Sequence, residues 1–102
     1  REEPSVNRKE ERRAQAALRQ REAEVRKPFE RKLATIEAEL GPLEAEAAET
    51  EKWLASSEAY DEANRDSLQS TLKRRGEVAA RIAQLEEDWL WTQAQMERAL
   101  EA

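Results

Sequence analysis

Apolar and polar positions between Phe29 and Leu54 keep a strict rhythm. Phe29, Leu33, Ile36, Leu40, Leu43, Ala47, Thr50 and Leu54 are separated alternately by four and three residues. That spacing places them on one narrow stripe of a helix, with Phe29 at heptad position d and Leu33 at a. A helix with so narrow a stripe cannot bury it alone and needs a partner of the same kind. The partner lies downstream, where Leu68, Thr71, Arg75, Val78, Ile82, Leu85, Trp89, Thr92 and Met96 repeat the rhythm.

A short polar stretch, Ala55–Asp61, separates the two series. Helices joined by so short a connection run antiparallel, so facing residues have numbers with a constant sum. The register that matches apolar with apolar pairs Phe29 with Trp89, Leu33 with Leu85, Ile36 with Ile82 and Leu40 with Val78. It continues with Leu43 against Arg75, Ala47 against Thr71 and Thr50 against Leu68. The expectation is an all-α fold, an antiparallel two-helix coiled-coil hairpin crossing at about 20°. Within a hairpin domain of 28–102, its first arm is 28–55, its tip 56–61 and its second arm 62–100.

Upstream, residues 1–27 form a basic helical arm. Residues 1–6 are expected to fray, with Asn7 as N-cap and Glu10 completing a capping box. From Arg8 to Lys27 strong helix formers dominate, but the apolar residues are few. Arg12, Arg19 and Arg26 stand seven apart as a basic stripe that Arg8 extends, with Lys9 and Arg13 beside it. Pro28 removes a backbone donor and crowds the preceding turn, so the organising helix is expected to start there after a break or sharp kink. Gly41-Pro42 falls mid-seam, yet the seam holds phase on both sides. A kink within a continuing helix is expected there.

At the tip, Ser56, Ser57 and Asp61 suit caps. Trp53 and Tyr60 either pack together as a lid, or Trp53 covers the seam edge. Trp89, Leu90 and Trp91 are consecutive and point three ways. Leu90 and Trp91 therefore need cover from segment 1–27, or they leave an apolar patch for a partner. Arg75, the one charged seam residue, is expected to snorkel toward Glu39 or Glu46.

Composition sharpens this picture. The chain has 102 residues, of which 40% are charged and 38% apolar, too few large apolar residues for a compact core. It lacks Cys and His, which removes disulfides, thiol chemistry and zinc-finger spacing. It carries no apolar run of membrane-spanning length and no signal-peptide core. The abrupt start at Arg1 suggests a piece of a longer protein. Residues 1–32 hold 11 Lys+Arg against 7 Glu, while 33–102 hold 7 Lys+Arg against 16 Asp+Glu. A basic attachment arm on an acidic body is the natural reading.

Nothing in the sequence has the spacing of a catalytic, phosphate-loop or metal motif, and carboxylates on such helices are solvated or paired with neighbours. This piece is expected to be non-enzymatic, with no metal or cofactor of its own. Arg8, Lys9, Arg12, Arg13 and Arg19, joined by Lys73 and Arg74, are the candidate nucleic-acid contacts. Arginine's planar fork suits phosphate, although nearby Glu residues could equally make the stripe a solvated face.

The order of motifs is similar to the C-terminal domain of ABC-F ATPases, soluble ATP-binding-cassette proteins of translation, in their YheS/Uup-like branch. The resemblance is carried by RKEERR at Arg8–Arg13, Lys27-Pro28-Phe29, LEAE at Leu43–Glu46, SSEAYDE at Ser56–Glu62, and EEDWLWTQAQMERAL around Trp89. The tip departs from the family's usual Asp-Pro-Glu-Leu-Tyr. The resemblance implies a cytoplasmic parent that binds ATP and magnesium in upstream domains. It further implies a tail that contacts the ribosome, rRNA, tRNA or DNA, with no membrane partner. The alternatives are a protein-interaction coiled coil, including self-association through exposed apolar surface, and the arm of a tRNA-binding enzyme such as seryl-tRNA synthetase, by fold-level analogy.

Overall fold

The computed structural model describes residues 4–102, with side chains from Asn7 onward. Helix α1 spans Pro4–Leu54, two 3-10 turns cover Ser57–Tyr60 and Glu62–Asn64, and helix α2 spans Arg65–Glu101. The chain is all-α among the described residues: two long helices fold back on each other into a rod 90 × 22 × 14 Å. At about 1.5 Å per residue, the 51 residues of α1 extend about 76 Å and the 37 of α2 about 55 Å.

Both seams fall where the heptads put them. On α1 seven of the eight positions from Phe29 to Leu54 are half-buried and the eighth, Ile36, is buried. On α2, Val78, Leu85 and Thr92 are buried at seven-residue spacing, and Leu68, Thr71, Ile82, Trp89 and Met96 are half-buried. Arg75 alone is exposed. Thr92 is tolerated at 0% exposure because its hydroxyl donates to the Asp88 carbonyl at 2.7 Å, leaving no unpaired polar group.

The expected break at Pro28 is absent: α1 runs unbroken through Pro28 and Pro42, so no helix boundary separates 1–27 from 28–102. Both prolines occupy heptad position c and are exposed. Each forfeits its backbone bond on the outer side of the helix, where water can satisfy the freed carbonyl. Seam residues on either side of Pro28, namely Arg26 and Phe29, are half-buried. The packed stripe thus crosses a proline that alone would cost a helix roughly 3 kcal/mol. The helix also starts earlier than expected. Asn7 lies inside α1 and is not its N-cap, and Pro4 holds the first position, where its missing donor costs least. Residues 1–3 lie outside the described part.

The tip differs as well. The return helix starts at Arg65 rather than Glu62, because residues 62–64 form a second 3-10 turn. Neither Ser56 nor Asp61 makes a side-chain cap bond to the turn that follows it. The Ser56 hydroxyl instead donates back to the Trp53 carbonyl at 2.6 Å, and the Tyr60 hydroxyl to the Leu54 carbonyl at 2.8 Å. Together they satisfy carbonyls that the end of α1 leaves open. Ala59 is fully buried beneath the turn.

A longer tip moves the register. The expected facing puts Glu46 opposite Leu72 and Glu39 opposite Ala79, yet Arg74 and Arg81 bind them. Glu37 was to face Arg81 but accepts from the indole of Trp89 at 3.1 Å, and Glu51 pairs with Arg75 at 2.6 Å. Every displacement runs toward the C-terminal end of α2, by two to eight residues. Trp89 therefore reaches α1 at Glu37, about two turns above the Phe29 layer assigned to it.

Candidate nucleic-acid interface

Half-burial along α1 begins at Glu22, beside the last turn of α2, where Leu18, Arg21, Glu22 and Val25 line a shallow groove with Ala99, Leu100 and Ala102. Below it α1 projects as a bare helix. From Asn7 to Arg21 every residue is exposed. This stretch holds six cationic and two anionic residues, a surplus of four positive charges.

Because α1 is continuous, its heptad frame extends upstream without interruption. The frame that puts Phe29 at d and Leu33 at a puts Arg12, Arg19 and Arg26 at a, and Arg8 at d. The arginine stripe is therefore the upstream continuation of the packed seam, with guanidinium groups where aliphatic side chains stand downstream. Arg26 belongs to this stripe by its seven-residue spacing but was not among the candidate contacts; a frame restarted at Pro28 hides only that the stripe continues the seam. It bonds Glu22 at 3.4 Å. Arg8, Lys9, Arg12, Arg13 and Arg19 all stand on the projecting stretch and are exposed.

Lys73 and Arg74 do not join them. Arg74 is tied to Glu46, near the middle of the rod, about 40 Å along the axis from Arg19. Its guanidinium holds Glu46 by two bonds, at 2.7 and 2.9 Å. That bidentate contact lowers the Glu46 carboxyl from its ordinary pKa and raises the arginine. Arg81 holds Glu39 in the same way, and lowers it for the same reason. These arginines serve the hairpin first. Arg75 does snorkel from the seam, but to Glu51, the glutamate the register places beside it, while Glu39 and Glu46 pair with Arg81 and Arg74.

The exposed apolar residues define a second surface. Residues 4–27 do not fold back over Leu90 and Trp91, which are 64% and 58% exposed. Leu90 borders a groove with Leu40, Glu44, Glu86 and Trp89, while the Lys32 ammonium stands 5.1 Å from the Trp91 ring centre.

Known proteins add no name to this geometry. No protein-family model matches the chain, and neither a curated protein nor a solved structure matches it. Among the described residues no helix is long and apolar enough to cross a membrane, and no cluster of His, Cys, Asp or Glu could hold a metal ion.

Proposed function

We propose that the chain is a non-catalytic attachment domain whose projecting basic helix grips a nucleic-acid backbone while the acidic hairpin stays clear of it. The observation that carries this reading is the bare end of α1, with its surplus of four positive charges on a body of opposite sign. Aromatic residues are absent from 1–28, so base stacking supplies no specificity there. Binding is therefore sequence-independent and salt-sensitive. The motif resemblance supports a place as the tail of an ABC-F ATPase, with rRNA, tRNA or DNA as target.

The test is fluorescence anisotropy on duplex DNA and on structured RNA across a salt series. Changing Arg8, Arg12, Arg13 and Arg19 together to Gln keeps helix propensity and should lower the salt slope on the DNA duplex by about 3–4. Unaltered binding by that variant at low salt would make the stripe a solvated face. A second reading, a protein partner seated on Leu90 and Trp91, is favoured by their exposure, and its affinity should respond little to salt.

A further inference from the structure

One side of α1 carries two lines of residues that its own hairpin uses only in part: Glu37 accepts from the Trp89 indole and Glu51 pairs with Arg75, whereas Glu30 and Glu44 make no bond to α2. Glu30, Glu37, Glu44 and Glu51 stand seven apart at heptad position e. Ala34, Gly41 and Ala48 stand seven apart at b, on the same side. A side chain at Gly41 would meet nothing within 4 Å. No packing inside the chain therefore asks for glycine, which costs a helix interior about 1 kcal/mol relative to alanine. Beside these lines lies the groove bordered by Leu40, Glu44, Trp89 and Leu90. A smooth, acidic helix face next to an apolar groove fits a slender, basic helix.

The chain carries such a helix. On the projecting end, Arg12, Arg19 and Arg26 have the same seven-residue spacing as the glutamates, with Ala16 and Ala23 at the neighbouring e positions. Laid antiparallel on α1 of a second copy, one register meets every requirement together. Arg12 faces Glu44, Arg19 faces Glu37 and Arg26 faces Glu30, while Ala16 and Ala23 face Gly41 and Ala34. The arrangement is its own mirror about a two-fold axis near Pro28, so each projecting helix lies on the other copy and the contact closes as a dimer. Pro28 points to the opposite, outer side and does not interfere.

We infer that two copies of this chain pair through α1, the basic end of each seated on the glutamate face of the other. The occupant is decided by charge complementarity: Arg12, Arg19 and Arg26 meet Glu44, Glu37 and Glu30 at matching period, whereas two projecting ends facing each other would repel. Small residues at the crossing let the backbones approach closely. The inference is independent of nucleic-acid attachment, although a phosphate backbone would compete for Arg12 and Arg19.

Sedimentation equilibrium at low salt, over a concentration series, tests it. The parent chain should reach a dimer mass and dissociate as salt rises. R12E/R26E and E30R/E44R should each weaken self-association by about tenfold or more, and mixing the two should form a heterodimer, because each then offers the charge the other lacks. Gly41→Leu, which the isolated hairpin has room for, should keep the helical signal and lose the dimer. A parent that stays monomeric at every concentration overturns the inference. So do charge reversals that leave the dimer intact, or a mixture that stays monomeric. Loss of nucleic-acid binding by R12E/R26E that mixing fails to restore would concern the attachment reading alone.

Discussion

Helix α1 is one helix with two lives. From Phe29 to Leu54 its a and d positions are apolar or small and packed against α2; from Asn7 to Arg21 the same frame carries Arg8, Arg12, Gln15 and Arg19, all exposed. Backbone and period are shared, so the difference lies in the side chains and in where α2 stops. Helix formation here does not depend on burial at each turn. Strong formers propagate a helix once a packed segment has nucleated it, and the covered part supplies the nucleus. The bare part is then free to present charge at fixed helical spacing.

Mutations can break this contrast, and the largest effect should come from the covered half. Leu85→Ala or Ile36→Ala removes a buried side chain and should cost about 2–5 kcal/mol, read as a collapse of the thermal midpoint of helical circular dichroism. A rod with so few buried apolar residues has little stability to lose. An equal loss from Leu18→Ala, on the exposed stretch, would erase the distinction between the halves.

Prolines and glycines come next. Pro28→Ala restores a backbone donor on the outer side of α1 and should raise the midpoint, by up to roughly 3 kcal/mol of stability. Gly76→Ala, at a position with open space around it, should add about 1 kcal/mol. Destabilisation by either change would mean that the residue serves a packing role.

The smallest effect is one of pH. Arg81 and Arg74 hold the Glu39 and Glu46 carboxyls below their ordinary 4.5 through side-chain hydrogen bonds. Their contribution is therefore fully present above that value and is lost as pH falls through the lower folded value. Comparing thermal midpoints with an E39Q/E46Q variant should show a small deficit for the variant at neutral pH that disappears in acid. Both carboxylates are solvent-exposed, so the deficit should also shrink in salt. A deficit that persisted in acid would assign it to side-chain packing instead of charge.

What the sequence determined by itself is the all-α hairpin, the antiparallel sense, and the membership of both seams. Heptad period is a local property, read from spacings of three and four, and no distant contact alters which residues share a stripe. Charge segregation was equally legible, since it is a matter of composition. Tertiary structure decided three other things. It carried α1 through Pro28, because packing across the break outweighs the lost bond and the proline sits on the solvent side. It set the register, because a hairpin's facing residues depend on how many residues its tip consumes, and the second 3-10 turn of Glu62–Asn64 is a tip property that spacing does not encode. It also chose the partners of Arg74, Arg75 and Arg81, since several glutamates lie within reach of each arginine and only the register says which one it meets.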